Sequence, residues 1–183
     1  NNGTVNGAVQ NSSGKFGRAF TFDGDDDYLE VLFNQSLNMT SKNITISGWF
    51  KTNGSVTGGM VAKSGVSGAT NGDYGIRMAG AGTVGFLLNN TNPVESTTKI
   101  NDDKWYHIVL TYDKISAIIY INAVIDKNTT LNSEVEDTGV SLVIGAYYSA
   151  SYVWNGSIDE VMIFNRSLSP TEVLALYNAT RID

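Results

Sequence analysis

Between residues 44 and 51 the chain alternates strictly. Ile44, Ile46, Gly48 and Phe50 fall on one side, and Thr45, Ser47, Trp49 and Lys51 on the other. A period of two residues marks a strand with two unlike faces, because successive Cβ atoms point to opposite sides of a sheet. The same short rhythm recurs, broken each time by Gly, Asn, Asp or Ser: RAFTFD (18–23), YLEVLF (28–33), GMVAKS, DYGIRMA, TVGFLLN, PVESTTKI, SLVIGA (141–146) and GSIDEVMIFN (156–165). WYHIVLTYD (105–113) and SAIIYINAV (116–124) are separated by the tight Asp113-Lys114-Ile115 region and read as a β-hairpin. About eleven or twelve strands at this spacing predict a β-sandwich or barrel, in a single domain over residues 1–183.

One segment breaks the rhythm. In LSPTEVLALYNA (168–179), Ser169 is placed as an N-cap, Pro170 at the first helical position and Glu172 two residues on, a capping box. Leu168 and Val173 occupy the staple positions, and Val173, Leu174, Leu176 and Tyr177 form an apolar face. The spacing predicts a short C-terminal helix lying on the sandwich. The stretches 53–59 and 64–72, rich in Gly, Ser and Thr, read as exposed loops.

Composition removes several function classes. The net charge of −6 argues against a nucleic-acid backbone or an anionic membrane as partner. With no cysteine there is no disulfide, thiol chemistry or cysteine-ligated metal. No apolar run approaches the roughly 18 residues of a membrane span, so direct membrane insertion is not expected. Of 19 asparagines, 11 begin an N-x-S/T sequon: Asn2, Asn11, Asn34, Asn38, Asn43, Asn53, Asn89, Asn128, Asn155, Asn165 and Asn178. Chance would give roughly 3 to 4. The excess fits either a polar surface rich in these residue types or an exported, cell-surface glycoprotein; export is the favoured reading.

FDGDDDYLEV, ISGWFK, KWYHIVLTYD, IYINAVI, LVIGA, GSIDEVMIFNRSLSPTEV and LALYN, in this order, resemble laminin-G-like domains of the concanavalin A-like lectin/glucanase superfamily. The likeness covers about residues 14 to 178, and its most specific part is the GSIDEVMIFNRSLSPTEV ending. The resemblance implies an all-β, two-sheet antiparallel jelly-roll sandwich, mostly used as an extracellular binding or adhesion module, often with a structural calcium. Two departures stand out. The family's first strand, with a W-x-F-(D/N)-E pattern, is not found in residues 1–183, so the expectation is either a fragment or a strand supplied by another segment or chain, and the family's Asn-Gly hairpin is Asn122-Ala123 here.

The candidate sites follow. FDGDDDYLEV offers Asp23, Asp25, Asp26 and Asp27 beside a glycine that frees a backbone carbonyl, as calcium's all-oxygen coordination requires. Asp159 lies between apolar neighbours and needs a cation or hydrogen-bond donors. The resemblance implies Asp23 and Asp159 as the side-chain ligands of a structural Ca2+, with Asp26 as a further candidate. The alternative is that Asp23 and Asp159 cap turn amides while Asp25 to Asp27 are solvated. For sugars, AYYSASYVWNG (146–156) supplies Tyr147, Tyr148, Tyr152 and Trp154 as an aromatic platform; otherwise Trp154 is core and the tyrosines line the sheet. Trp49 and Trp105 are expected in the core, and Lys63, Asp73, Tyr74 and Arg77 lie on strands that border the family's ligand face.

Catalysis finds no support. None of the six glutamates (Glu30, Glu95, Glu134, Glu136, Glu160, Glu172) starts the E-x-D-x-x-E strand of the superfamily's retaining glucanases. The single histidine, His107, reads as a sheet residue bonded to a neighbour. The chain therefore reads as a non-enzymatic, extracellular carbohydrate-binding or adhesion module whose partners are glycans or cell-surface proteins. The alternative is a structural domain of a surface layer or filament, self-assembling through an open strand edge.

Overall fold

The strand that alternates most strictly is buried on both faces. The computed structural model describes residues 2–39, 43–54, 57–64, 73–89, 91–147 and 152–180, with backbone alone at 91–93. Its elements are β1 (Thr4–Asn6), β2 (Val9–Asn11), β3 (Ala19–Asp23), β4 (Tyr28–Val31), β5 (Ile44–Lys51), β6 (Gly58–Lys63), β7 (Tyr74–Met78), β8 (Val84–Leu88), β9 (Thr91–Glu95), β10 (Trp105–Tyr112), β11 (Ser116–Ile121), β12 (Val124–Thr130), β13 (Leu142–Ile144), β14 (Ala146–Tyr147), β15 (Tyr152–Val153), β16 (Asn155–Phe164) and α1 (Pro170–Thr180). One sheet has the order β1-β4-β13-β6-β7-β8-β9, the other β12-β11-β10-β5-β16-β3-β2, and β14 and β15 form a separate two-stranded ribbon. Every pairing is antiparallel, and the chain crosses repeatedly between the sheets, giving the jelly-roll sandwich. The strand count exceeds the sequence expectation because β1, β2, β14 and β15 are two or three residues long and too short to alternate visibly.

Ile44, Ile46 and Phe50 enter the space between the sheets, where they meet Ile108, Leu110 and Tyr112 of β10 and Val61, Ile76 and Phe86 of the opposite sheet. Each such side chain contributes about 1.5–3 kcal/mol by leaving water. The other face of β5 is covered by α1. Leu168 and Val173, the staple pair, pack on Val109 and Tyr120. The Trp49 indole donates to Thr180 Oγ1 at 2.9 Å. Trp49 is therefore buried beneath the helix rather than between the sheets, and Trp105 is only half-buried at the start of β10, so its expected place in the core is corrected.

The capping box forms as read: the Ser169 amide donates to Glu172 Oε2 at 2.8 Å, and the Glu172 amide to Ser169 Oγ at 3.3 Å. The β11–β12 turn keeps its two-residue form without glycine, with Asn122 and Ala123 at φ 52° and 63°. Of the two stretches read as loops, residues 55–56 and 65–72 lie outside the described residues, and Gly58 and Gly59 are buried in β6 rather than in an exposed loop.

Candidate functional site

β3 ends at Asp23, and Gly24, at φ 86°, turns the chain so that the following aspartates fold back. The Asp23 amide donates to Asp27 Oδ2 at 3.0 Å and the Asp25 amide to Asp23 Oδ1 at 2.9 Å. Gly7 lies so close beneath that a Cβ there would sit 1.9 Å from Asp27 Oδ1. Asp27 is thus buried, against the alternative in which Asp25 to Asp27 are all solvated, while Asp25 and Asp26 are exposed. Asp23, Asp26 and Asp27 each bring a carboxylate oxygen within 4.8 Å of the others. Three hard, anionic donors at that spacing fit a calcium ion, which completes its shell of six to eight oxygens with carbonyls and water.

Asp159 does not join them, which corrects the expected ligand pair. Asn155 lies opposite Asp23 and Ile158 opposite Phe20, so Asp159 stands four positions further along β16. That is roughly 13 Å at about 3.3 Å per residue. Its oxygens accept the amides of Phe16 at 2.8 Å and Glu160 at 2.9 Å. The buried carboxylate is satisfied by backbone donors, the capping alternative. Here β16 bulges: the register with β5 slips between Asp159 and Met162, and Glu160 adopts φ 49°. Burial first, then the Asp159 charge, pushes the Glu160 carboxyl upward.

The aromatic candidates separate. Trp154 is buried, packs edge-on to Phe50 at 6.1 Å and belongs to the core, which removes it from the platform. Tyr148 lies outside the described residues. Tyr147 and Tyr152 are register partners across the β14–β15 ribbon, with rings 5.9 Å apart and Tyr152 43% exposed. The ribbon rests directly on β6, because Gly58 and Gly59 have no side chains to hold it off. A Cβ at Gly59 would lie 2.1 Å from the Ala146 carbonyl carbon, and one at Gly58 2.5 Å from the Val153 oxygen.

The four residues on strands that border the family's ligand face make contacts within the fold. Lys63 and Asp73 are buried and paired, and Asp137 lies 2.9 Å from Lys63 Nζ. Burial pushes the Asp137 carboxyl up, but the Lys63 hydrogen bond, the Gly139 amide and the Lys63 charge outweigh it and hold the group below the usual range. Tyr74 donates to the Leu37 carbonyl at 2.7 Å; burial, then the charges of Asp73 and Asp137, raise its phenol. Arg77 is half-buried and reaches the Met78 carbonyl at 3.4 Å. Asp137 and its partner Asn38 were missed as members of this cluster; the available signal was a lysine inside a strand, which needs an anion.

His107 is buried beneath α1, its Nε2 3.0 Å from Ser47 Oγ and its ring 5.1 Å from Trp49 and 5.7 Å from Tyr177. Nδ1 has no partner among the described residues, and burial drives the imidazole down to about 4. The sequon asparagines also divide. Asn11, Asn38, Asn89 and Asn155 donate their side-chain amides to Thr21, Asp137, Glu134 and Asp23. Asn34 caps a short 3-10 turn through Oδ1. Asn2, Asn43, Asn53, Asn128, Asn165 and Asn178 are exposed.

A family model for the concanavalin A-like lectin/glucanases superfamily matches residues 23–174. No curated protein matches the chain. Among solved structures, the chain is similar to the binding domain of Paraclostridial Mosquitocidal Protein 1, at TM-score 0.75 and 16% identity over 97% of this chain and 47% of that one. It is similar also to the receptor binding domain of botulinum neurotoxin D, at TM-score 0.73 and 16% identity over 97% and 48%. Domain 4 of AbnA, an extracellular arabinanase from Geobacillus stearothermophilus solved with arabinotriose, gives TM-score 0.75 and 20% identity over 96% and 87%. The chain spans about half the length of the toxin binding domains it matches.

Proposed function

The chain belongs to the concanavalin A-like lectin/glucanases superfamily, and we propose on that premise that it is a non-catalytic carbohydrate-binding or adhesion module of an extracellular protein. The observation that carries this reading is the Tyr147–Tyr152 pair, two rings 5.9 Å apart on a ribbon held by a glycine bed. Tilted, partly exposed tyrosines present apolar faces with a polar tip, the chemistry that stacks on a sugar ring while bonding its hydroxyls. The arabinotriose held by the arabinanase domain supports a neutral saccharide as ligand. The acidic turn is the place for a structural calcium, with Asp23, Asp26 and Asp27 as ligands, tying the end of β3 to the start of β4. The exposed sequon asparagines are the acceptors for N-linked glycans. No helix among the described residues is long and apolar enough to cross a membrane.

A glycan array that includes arabino-oligosaccharides, run in calcium, tests the reading. We expect binding to at least one saccharide class and its loss in Tyr152→Ala. Binding to no glycan in the presence of calcium would count against it.

One observation favours a second reading, a structural unit of a surface assembly. β3 pairs with β16 only over Asn155–Ile158, whereas β5 pairs with it out to Phe164. From Val161 to Phe164 the edge of β16 facing away from β5 has no strand partner among the described residues. Beside it opens a cleft of about 240 Å³, lined by Phe20, Leu29, Ile144 and Val161. An extended strand from a neighbouring copy fits such an edge. A monomer on size-exclusion chromatography at high concentration would remove this reading.

A further inference from the structure

Lys63 ends β6 and Asp73 immediately precedes β7, and their backbones are joined by the Asp73 amide donating to the Lys63 carbonyl at 2.8 Å. Both side chains are sealed from water, at 1% and 0% exposure. Lys63 Nζ touches Asp73 Oδ2 and lies 2.9 Å from Asp137 Oδ1, with the Phe33 ring centroid 5.4 Å away. The other oxygen of Asp73, Oδ1, accepts the Thr138 amide at 3.0 Å and the Thr138 hydroxyl at 2.7 Å. Asp137 is fixed in turn by Asn38 on Oδ2 and by the Gly139 amide, 3.2 Å from Oδ1. One ammonium thus faces two carboxylates, Asp73 sealed from water and Asp137 at the surface with its side chain 20% exposed, leaving an excess negative charge.

These are the elements of an amide condensation. An amine stands against a carboxyl whose far oxygen is held by two donors, the arrangement that stabilises charge developing on an acyl oxygen. A second carboxylate, Asp137, lies 2.9 Å from the same nitrogen and can move its protons. Replacing a buried ion pair by a neutral amide removes the desolvation cost of two charges, and the burial of Lys63 and Asp73 themselves disfavours hydrolysis of the bond. We propose that Lys63 and Asp73 condense spontaneously into an intramolecular amide cross-link, with Asp137 as the proton shuttle.

In the step, Nζ gives one proton to Asp137, which passes it to Oδ2 of Asp73, and the free amine attacks Cγ of the neutral carboxyl. Oδ1, held by Thr138, carries the negative charge of the tetrahedral intermediate. Oδ2, already protonated through Asp137, then takes a second proton from Nζ and leaves as water. The Nζ–Cγ bond forms, the Cγ–Oδ2 bond breaks, nothing is oxidised, and Asp137 ends as the carboxylate it began. The link joins the end of β6 to the start of β7 covalently and is independent of what the module binds.

Intact-mass spectrometry of the full chain, made in a host without N-glycosylation, tests this. We expect a mass lower than the sequence mass by one water. Trypsin should fail to cut at Lys63 and release Thr52–Arg77 as one peptide, lighter by one water and without fragment ions between Lys63 and Asp73. Asp137→Asn should show the full sequence mass and normal cleavage at Lys63. A wild-type chain at its sequence mass with Lys63 cut overturns the proposal. So does a cross-link that maps instead to the peptide carrying Asp137, or an Asp137→Asn chain that still loses water.

Discussion

Asp23 and Asp159 sit on neighbouring antiparallel strands but four register positions apart, Asp23 facing Asn155 and Asp159 facing Trp49. They therefore stabilise the module by separate means. Asp159 caps two amides, and replacing it with Ala leaves the Phe16 and Glu160 N–H groups without their acceptor. We expect a loss of about 1–3 kcal/mol that is the same with and without calcium. Asp27→Asn should instead abolish any rise in Tm on adding calcium. Thermal melts of both variants in calcium and in EDTA check this. A wild-type Tm that ignores EDTA would dismiss the cation site.

Tyr152 and Trp154 are two residues apart and have opposite roles. Tyr152→Ala removes an exposed ring and should leave the Tm within a degree or two while abolishing saccharide binding. Trp154→Ala opens the core against Phe50 and should cost about 3–5 kcal/mol. Paired melting and binding measurements separate the two. Binding that survives Tyr152→Ala would move the ligand site elsewhere.

How far these roles were legible depends on the range of the interaction that sets them. The alternation of Ile44 to Lys51 and the capping box of Ser169 to Glu172 are local, so sandwich and helix were readable from the chain. The separation of Asp23 from Asp159 depends on strand register, which is set by packing across the sheet and not by either segment. Likewise Asp137 lies in a stretch without periodicity, and only the fold shows that it meets Lys63. Trp154 was ambiguous because a single aromatic between a ribbon and a strand can face either way; the core won it.

Gly59 holds the ribbon in place by having no side chain. Gly59→Ala would drive a methyl group into the Ala146 carbonyl and lift β14 from β6. We expect about 1–3 kcal/mol of destabilisation from overpacking. Saccharide binding should also fall, although no tyrosine has changed. Calorimetry with the saccharide found on the array reads both effects. Full affinity in this variant would show that the ribbon's position is irrelevant to binding.

The β11–β12 turn carries a removable strain. Ala123 sits at φ 63°, where an L side chain crowds its own backbone. Glycine relieves that crowding at some entropic cost. Ala123→Gly should therefore stabilise the protein by about 1 kcal/mol or less, read as a higher urea midpoint at an unchanged slope. A lower midpoint would mean that the packing of Ala123 against the cluster of Val109, Tyr120, Leu168 and Val173 outweighs the relief of backbone crowding.

His107 makes stability depend on pH with a definite sign. Its imidazole is neutral in the folded chain and resists protonation until about pH 4, while the unfolded chain protonates near its ordinary value of 6.5. The unfolded state thus binds the extra proton between these values, and stability rises with pH across that window. The contribution is fully present above about 6.5 and is lost as the pH falls toward 4, by roughly 3 kcal/mol at most. Protonation would place a charge against the stacked rings of Trp49 and Tyr177 with Nδ1 unpartnered among the described residues, so α1 is the element expected to loosen first. Urea midpoints of wild type and His107→Gln at pH 4.5 and pH 7 isolate the effect from that of the carboxylates. The variant should lose less stability on acidification than wild type; an equal loss would show that His107 is not the group responsible.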